Sequence, residues 1–353
     1  MRSFAYDQLP CRVVFGVGAF DKLAEETDRL GLSKLLVLST AGQVRLAEEA
    51  ARRIGARAVG LYPHAKMRVP VETAQAARAE ARKLGADGAV AIGGGSTIGL
   101  GKAIALESGL PIVAIPTTYA GSEMTPIYGL TESGAKRTGR DPKVLPRAVI
   151  YDPALTLGLP IKISGPSGMN AIAHCVEALY AENANPVTSM MAEEGIRAVA
   201  GSLPRIAANP GDLDARSDAL YGAWLAGISL AAVGMALHHK LCHTLGGGFN
   251  LPHAETHTIV LPHAVAYNTS AAPQAMARIA SALGVKEAAG GLYDLAAAIG
   301  APLALREIGL KEQDLDAAVE IATRNPYYNP RAVSRDGIRR LLDDAFHGRR
   351  PAA

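Results

Sequence analysis

The chain is poor in aromatic residues, which make up 5% of its 353 residues with a single tryptophan, Trp224. Proteins that grip single-stranded nucleic acid stack bases on such rings, so that class of partner is disfavoured. Cysteine is scarce too. Cys11, Cys175 and Cys242 are odd in number and far apart, so they build neither a disulfide framework nor a CxxC metal knuckle. Charge of one sign is lacking: the net formal charge is +3, spread along the chain, which gives no polyanion-binding tail. No stretch reaches the roughly 20 apolar residues of a membrane helix. The opening MRSFAYDQLPCRVVFG has no apolar run of signal-peptide length. The expectation is a cytoplasmic protein with no nucleic-acid and no membrane partner.

Hydrophobic residues are abundant at 49%, enough for a substantial core. Over the first 150 or so residues, short apolar runs alternate with Ala-rich amphipathic stretches. Lys34–Ser39, Arg57–Tyr62, Gly88–Ile92 and Pro111–Ile115 read as strands; Val44–Ile54, Val71–Leu84 and Thr97–Ser108 read as helices. Strands apolar on both faces predict a parallel sheet covered by helices, a Rossmann-like α/β domain. Beyond Pro160 the pattern turns helical: Met169–Glu182, Thr188–Ala208, Ala219–Leu245, Ala275–Leu283 and Leu292–Ile299. A boundary inside Leu155–Pro166 divides the chain into an α/β dinucleotide-binding domain, residues 1–160, and an all-α catalytic domain, residues 161–353.

In the first domain, AIGGGSTIGLGKAIAL places Gly93, Gly94, Gly95 and Ser96 between a strand and a helix expected near Thr97. Glycines admit a diphosphate close to the backbone, and the helix N-terminus favours its charge. IPTTYAGSEMTP, after the next strand, adds Thr117, Thr118 and Ser122 at a strand carboxyl end, where ligands of open α/β sheets bind. FGVGAFDKL has a GxG but no third glycine, and reads as a structural turn.

Histidines carry the strongest signal. Six of the nine fall within 26 residues: His238, His239, His243, His253, His257 and His263. His239 and His243 share a helix face, as do Asn170 and His174. HAETH is not the HExxH of zinc proteases, and no serine stands on a GxSxG elbow. Three histidines and an acid would hold a divalent metal, but the helical partner of His174 is the neutral Asn170.

These segments, with FGVGA at Phe15–Ala19, PTTYAGSE at Pro116–Glu123, SGMNAIAHCVEA near Ser167–Ala178 and HHKLCHTLGGGFNLPHAETHTIVLPH at His238–His263, resemble the iron-containing (group III) alcohol dehydrogenases over essentially the whole chain. The resemblance implies that family's dehydroquinate synthase-like fold. The family's metal ligands, an Asp and three His, fall on Asn170, His174, His239 and His253. The Asp of its GGGSxxD turn falls on Gly99. Both departures resemble the maleylacetate reductase branch, which reduces a carbon–carbon double bond with NADH or NADPH to give 3-oxoadipate in aromatic-compound degradation.

That resemblance implies His243 for enolate stabilisation or proton delivery, with His253, His239 and His174 beside it. Asn170 and His257 would bind the dicarboxylate substrate, with Lys136, Lys240, Arg324 and Tyr328 for its carboxylates. Gly93, Gly94, Gly95, Ser96, Thr97, Thr117, Thr118 and Ser122 would bind the cofactor. Ser39 and Thr40, with Arg45 nearby, would meet its ribose and admit either NADH or NADPH. No metal is expected, and a homodimer is. The rival reading is a metal-dependent alcohol or lactaldehyde-type dehydrogenase with Asn170 as fourth ligand.

Overall fold

The computed structural model describes Phe4, Tyr6, Leu9, residues 11–132 and residues 135–351; the side chains of Ala135 and Lys136 lie outside the described residues. The chain divides into two compact units, Gln8–Leu159 and Pro160–Ala353.

The first unit is built on a six-stranded parallel sheet. Its strands are β1 (Arg12–Phe15), β2 (Leu35–Leu38), β3 (Ala58–Tyr62), β4 (Gly88–Gly93), β5 (Ile112–Pro116) and β8 (Ala148–Tyr151), in spatial order β1-β8-β5-β4-β2-β3. Leu35, Val37, Val90, Ile92, Val113, Ile115 and Ile150 bury one face against Phe20, Leu23, Ala47, Ala50 and Ile54. Leu36, Leu38, Ala89, Ala91 and Ala114 are also buried. Burial on both faces explains why these strands read as continuous apolar runs. Helices α1 (Leu23–Arg29), α2 (Val44–Ile54), α3 (Val71–Lys83) and α4 (Gly95–Ser108) connect the strands. A separate antiparallel hairpin, β6 (Ile127–Glu132) and β7 (Ala135–Arg140), precedes β8.

From β2 the chain passes outward to β3, then returns on the other side of β2 to form β4. That reversal is a topological switch point. It leaves a crevice beyond the carboxyl ends of β2 and β4, where open α/β sheets take ligands.

The second unit is helical among its described residues: α5 (Ile161–Tyr180), α6 (Pro186–Ala208), α7 (Leu213–Ala232), α8 (Leu237–Gly248), α9 (His253–Asn268), α10 (Pro273–Leu283), α11 (Ala288–Ala298), α12 (Leu315–Thr323) and α13 (Arg335–His347), with short 3-10 turns. Leu237, Leu241, Leu245, Ile259, Val260, Leu315, Val319, Ile338 and Leu342 form one of its cores. The single helix expected over Ala219–Leu245 is two, α7 and α8, bent by 96°. Val233 adopts an extended backbone at the break. Asn183 Oδ1 accepts the Gly234 amide at 2.9 Å, and Glu177 accepts those of Ala236 and His238 at 2.9 and 2.7 Å. The break is therefore specified by side chains distant in sequence. Among the described residues no single helix is long and apolar enough to cross a membrane.

Candidate active site

Helix α4 starts at Gly95, two residues before the expected Thr97. Gly95 and Ser96 thus lie in its first turn, where amides have no helical acceptor. Gly93 has φ +151°, and a Cβ there would lie 2.5 Å from Thr97 Oγ1 and 2.8 Å from Gln43 Oε1. A Cβ on Gly94 would lie 2.9 Å from the Thr118 methyl. Only glycine gives this close-walled cradle at the end of β4. Thr97 is fully buried and its hydroxyl has no partner. The cradle, the free helix start and the orphaned hydroxyl fit a dinucleotide diphosphate. Ser39 is buried, its hydroxyl donating to the Thr40 carbonyl at 3.1 Å; Thr40 is half-buried and Arg45 exposed.

Ser122 has a further task. Lys102, a fully buried lysine of α4, donates to Ser122 O at 2.6 Å, Thr125 O at 2.8 Å, Thr125 Oγ1 at 2.9 Å and Ile127 O at 2.7 Å, with Ser122 Oγ at 3.3 Å. It pins the PTTYAGSE loop to the helix. Burial draws its ammonium down to about 7, opposed by Glu123. The FGVGAF turn is occupied by the protein's own anion: Asp152 accepts the amides of Gly18 at 3.2 Å and Phe20 at 3.0 Å.

In the helical unit, α5, α8 and α9 gather six imidazoles. Ring centroids lie 5.1 Å apart for His174–His239, 4.9 Å for His239–His257, 4.8 Å for His238–His257, 4.3 Å for His253–His257 and 6.2 Å for His239–His243. His174, His238, His239 and His257 are buried, whereas His243 and His253 are exposed. His263 lies instead on a cavity lined also by Tyr267, Arg340 and Asp344. Burial, and after it the neighbouring imidazoles, holds His174, His238 and His257 well below the ordinary histidine range, so all three are neutral.

Four buried polar atoms in this group have no partner: Asn170 Oδ1, His174 Nδ1, His239 Nε2 and His257 Nε2. Each such atom costs about 1–3 kcal/mol, so the grouping marks a site built for a polar ligand. Glu177, one turn beyond His174 on α5, was not singled out in the sequence. Its Oε2 accepts His239 Nδ1–H at 2.7 Å, which orients that ring and turns Nε2 toward the unpartnered group. The signal was present in AIAHCVEA, where Glu177 follows His174 by three. Tyr327 also turns inward, its buried hydroxyl without a partner, and the Lys240 ammonium lies 5.6 Å over its ring. The neighbouring Tyr328 is exposed, as is Arg324 at the end of α12.

This donor set lacks the anion that the family pattern supplies to its divalent metal. The unpartnered atoms are an amide oxygen and three imidazole nitrogens, with no anion among them. The buried carboxylate, Glu177, is consumed by His239 Nδ1 and by the amides that open α8. A tighter trio, His238, Cys242 and His257, has donor atoms within 4.8 Å of one another. Its two imidazoles already bond each other, His238 Nε2 to His257 Nδ1 at 2.9 Å. Burial and Glu177 hold its thiol well above the ordinary range, in the protonated form.

Residues 10–153 match the family described as iron-containing alcohol dehydrogenase, and residues 165–346 match its C-terminal region. The chain belongs to the iron-containing alcohol dehydrogenase family. Within that family it is 60% identical to a maleylacetate reductase of Burkholderia cepacia over 352 residues, covering 100% of both chains. It is 55% identical to the maleylacetate reductase of Sphingobium indicum, covering 99% of each. The crystal structure of maleylacetate reductase from Agrobacterium tumefaciens superposes with a TM-score of 0.97 at 53% identity, covering 99% of this chain and 100% of that one. Membership of the family brings the N-terminal parallel-sheet domain, the C-terminal helical domain, a dinucleotide cofactor and a small-molecule substrate.

Proposed function

We propose that the chain catalyses reduction of the carbon–carbon double bond of maleylacetate to 3-oxoadipate with NADH or NADPH, without a metal ion. One observation carries the reading. The position where the family pattern has its metal-binding acid is Asn170, whose Oδ1 is without a partner, as are His174 Nδ1, His239 Nε2 and His257 Nε2 near it, and burial holds His174 and His257 well below the ordinary histidine range. The maleylacetate reductases it resembles support the same conclusion.

The chemistry suits such a site. When bound, the reduced nicotinamide supplies a hydride to the alkene carbon β to the ketone. Negative charge then develops on the ketone oxygen as an enolate, which imidazole N–H groups can stabilise. A proton delivered to the α-carbon completes the reaction, one hydride and one proton being added across the double bond. His243 is the donor we favour, because it is exposed to bulk protons and adjoins His239. The substrate is a dianion. A free carboxylate would repel it, and Glu177 is shielded behind His239 and the start of α8. Neutral Ser39 and Thr40 at the end of β2 put no acid against a 2′-phosphate, which supports use of both cofactors. The homodimer is the assembly that family membership leads us to propose.

The test follows absorbance of NADH with maleylacetate and with simple alcohols and aldehydes. Rapid oxidation with maleylacetate and none with the aldehydes is expected. Turnover confined to alcohols and aldehydes would favour the metal-dependent dehydrogenase.

A further inference from the structure

One side chain ties together the loops that follow β2 and β5, and no motif drew attention to it. Gln43, at the end of the short 3-10 turn before α2, donates from Nε2 to Thr117 Oγ1 at 2.8 Å. Its Oε1 accepts from Thr40 Oγ1 at 3.4 Å. The carboxamide therefore spans from the β2 loop to the β5 loop, and it does so against the end of β4. Gly93, whose carbonyl accepts the Thr117 amide at 3.1 Å, has no Cβ to push the amide away. The unpartnered Thr97 hydroxyl faces the same glycine. All of this lies at the switch-point crevice.

A cofactor lying along that crevice must satisfy groups on three separate loops at once. Such loops hold a ligand well only if their spacing is fixed before it arrives, since ordering them on binding subtracts from affinity. Gln43 is half-buried.

We propose that Gln43 is a positioning residue for the dinucleotide, holding Thr40 and Thr117 at the separation the bound cofactor requires. This rests on the reading that the crevice takes NAD(P)H. Its effect should fall on cofactor affinity and not on the chemical step.

NADH titrations followed by cofactor fluorescence, with steady-state kinetics and melting curves, test it. Gln43→Leu should weaken NADH at least tenfold and raise its KM in step, while kcat at saturating NADH stays within twofold. Thr117→Val should weaken NADH similarly, and Thr117→Ser, which keeps the acceptor, should restore it. The double variant Gln43→Leu/Thr117→Val should be no weaker than the worse single variant, because the bond between Gln43 and Thr117 is lost in both. If Gln43→Leu does not fold, Gln43→Asn, which keeps the amide but is one methylene short, is read the same way. NADH affinity within twofold of wild type, or losses that multiply in the double variant, would overturn the proposal alone. A wild-type protein that binds no NADH would overturn the cofactor reading as well.

Discussion

Both oxygens of Glu177 are occupied, Oε1 by the His238 amide and Oε2 by the Ala236 amide and His239 Nδ1. In Glu177→Gln one oxygen becomes an NH2 that faces an N–H donor. The loss of a charge-assisted bond costs about 1.5–3 kcal/mol, so kcat with maleylacetate should fall roughly 10- to 100-fold while NADH affinity holds. Steady-state kinetics beside an NADH titration separate the two. His243→Ala should likewise lower kcat by roughly 10²-fold, far more than it weakens NADH. Normal turnover in that variant would move proton delivery to His253 or His257. At this scale the sequence disclosed what is periodic. Asn170 with His174, and His239 with His243, are spaced four apart and needed no coordinates. The bonds from Glu177 to His239 and from Gln43 to Thr117 span 62 and 74 residues, separations no local pattern encodes.

Where α6 crosses α7, two glycines let the backbones approach. A Cβ on Gly222 would lie 2.5 Å from Val199 Cγ2 and 2.9 Å from the Gly195 carbonyl. Gly222→Ala should therefore destabilise the helical unit by about 1–3 kcal/mol. Gly201, also on α6, has nothing within 4 Å of the corresponding point. Gly201→Ala should be neutral or stabilising, by roughly 0.5–1 kcal/mol, through helix propensity. Paired melting curves decide it; equal shifts would mean the close approach is not a constraint. Elements were legible where a run was both apolar and clearly bounded. Helix α2 falls at the expected Val44–Ile54, and β2 to β5 fall within a residue or so of their expected limits. Strands β1 and β8 were not among the strands expected from the sequence. The break between α7 and α8 was hidden because alanine and leucine continue through it, and the side chains that enforce it come from α5 and the segment after it.

Across the whole molecule, the buried histidines set its tolerance of acid. His263 is held down to about 4 by burial, below its ordinary 6.5, and His174, His238 and His257 are shifted in the same direction. The unfolded chain then binds protons that the folded chain refuses. The stability that this difference contributes is fully present above pH 6.5 and is lost as pH falls toward 4. The melting midpoint should drop by several degrees between pH 6.5 and pH 4.5; a flat profile would mean that the folded histidines take up protons as readily as the unfolded ones.

The fold and cofactor cradle were visible in the sequence because they depend on local patterns. The lowered proton affinity of His174, His238 and His257 was not visible, because it depends on burial. With Asn170 in place of an acid, it is the ground on which we propose a reaction without metal. The deciding measurement is NADH-dependent turnover of maleylacetate by protein treated with EDTA and assayed for iron and zinc. Undiminished turnover with metal far below one ion per chain is expected. Stoichiometric metal, with activity lost to the chelator and restored by iron or zinc, would contradict it.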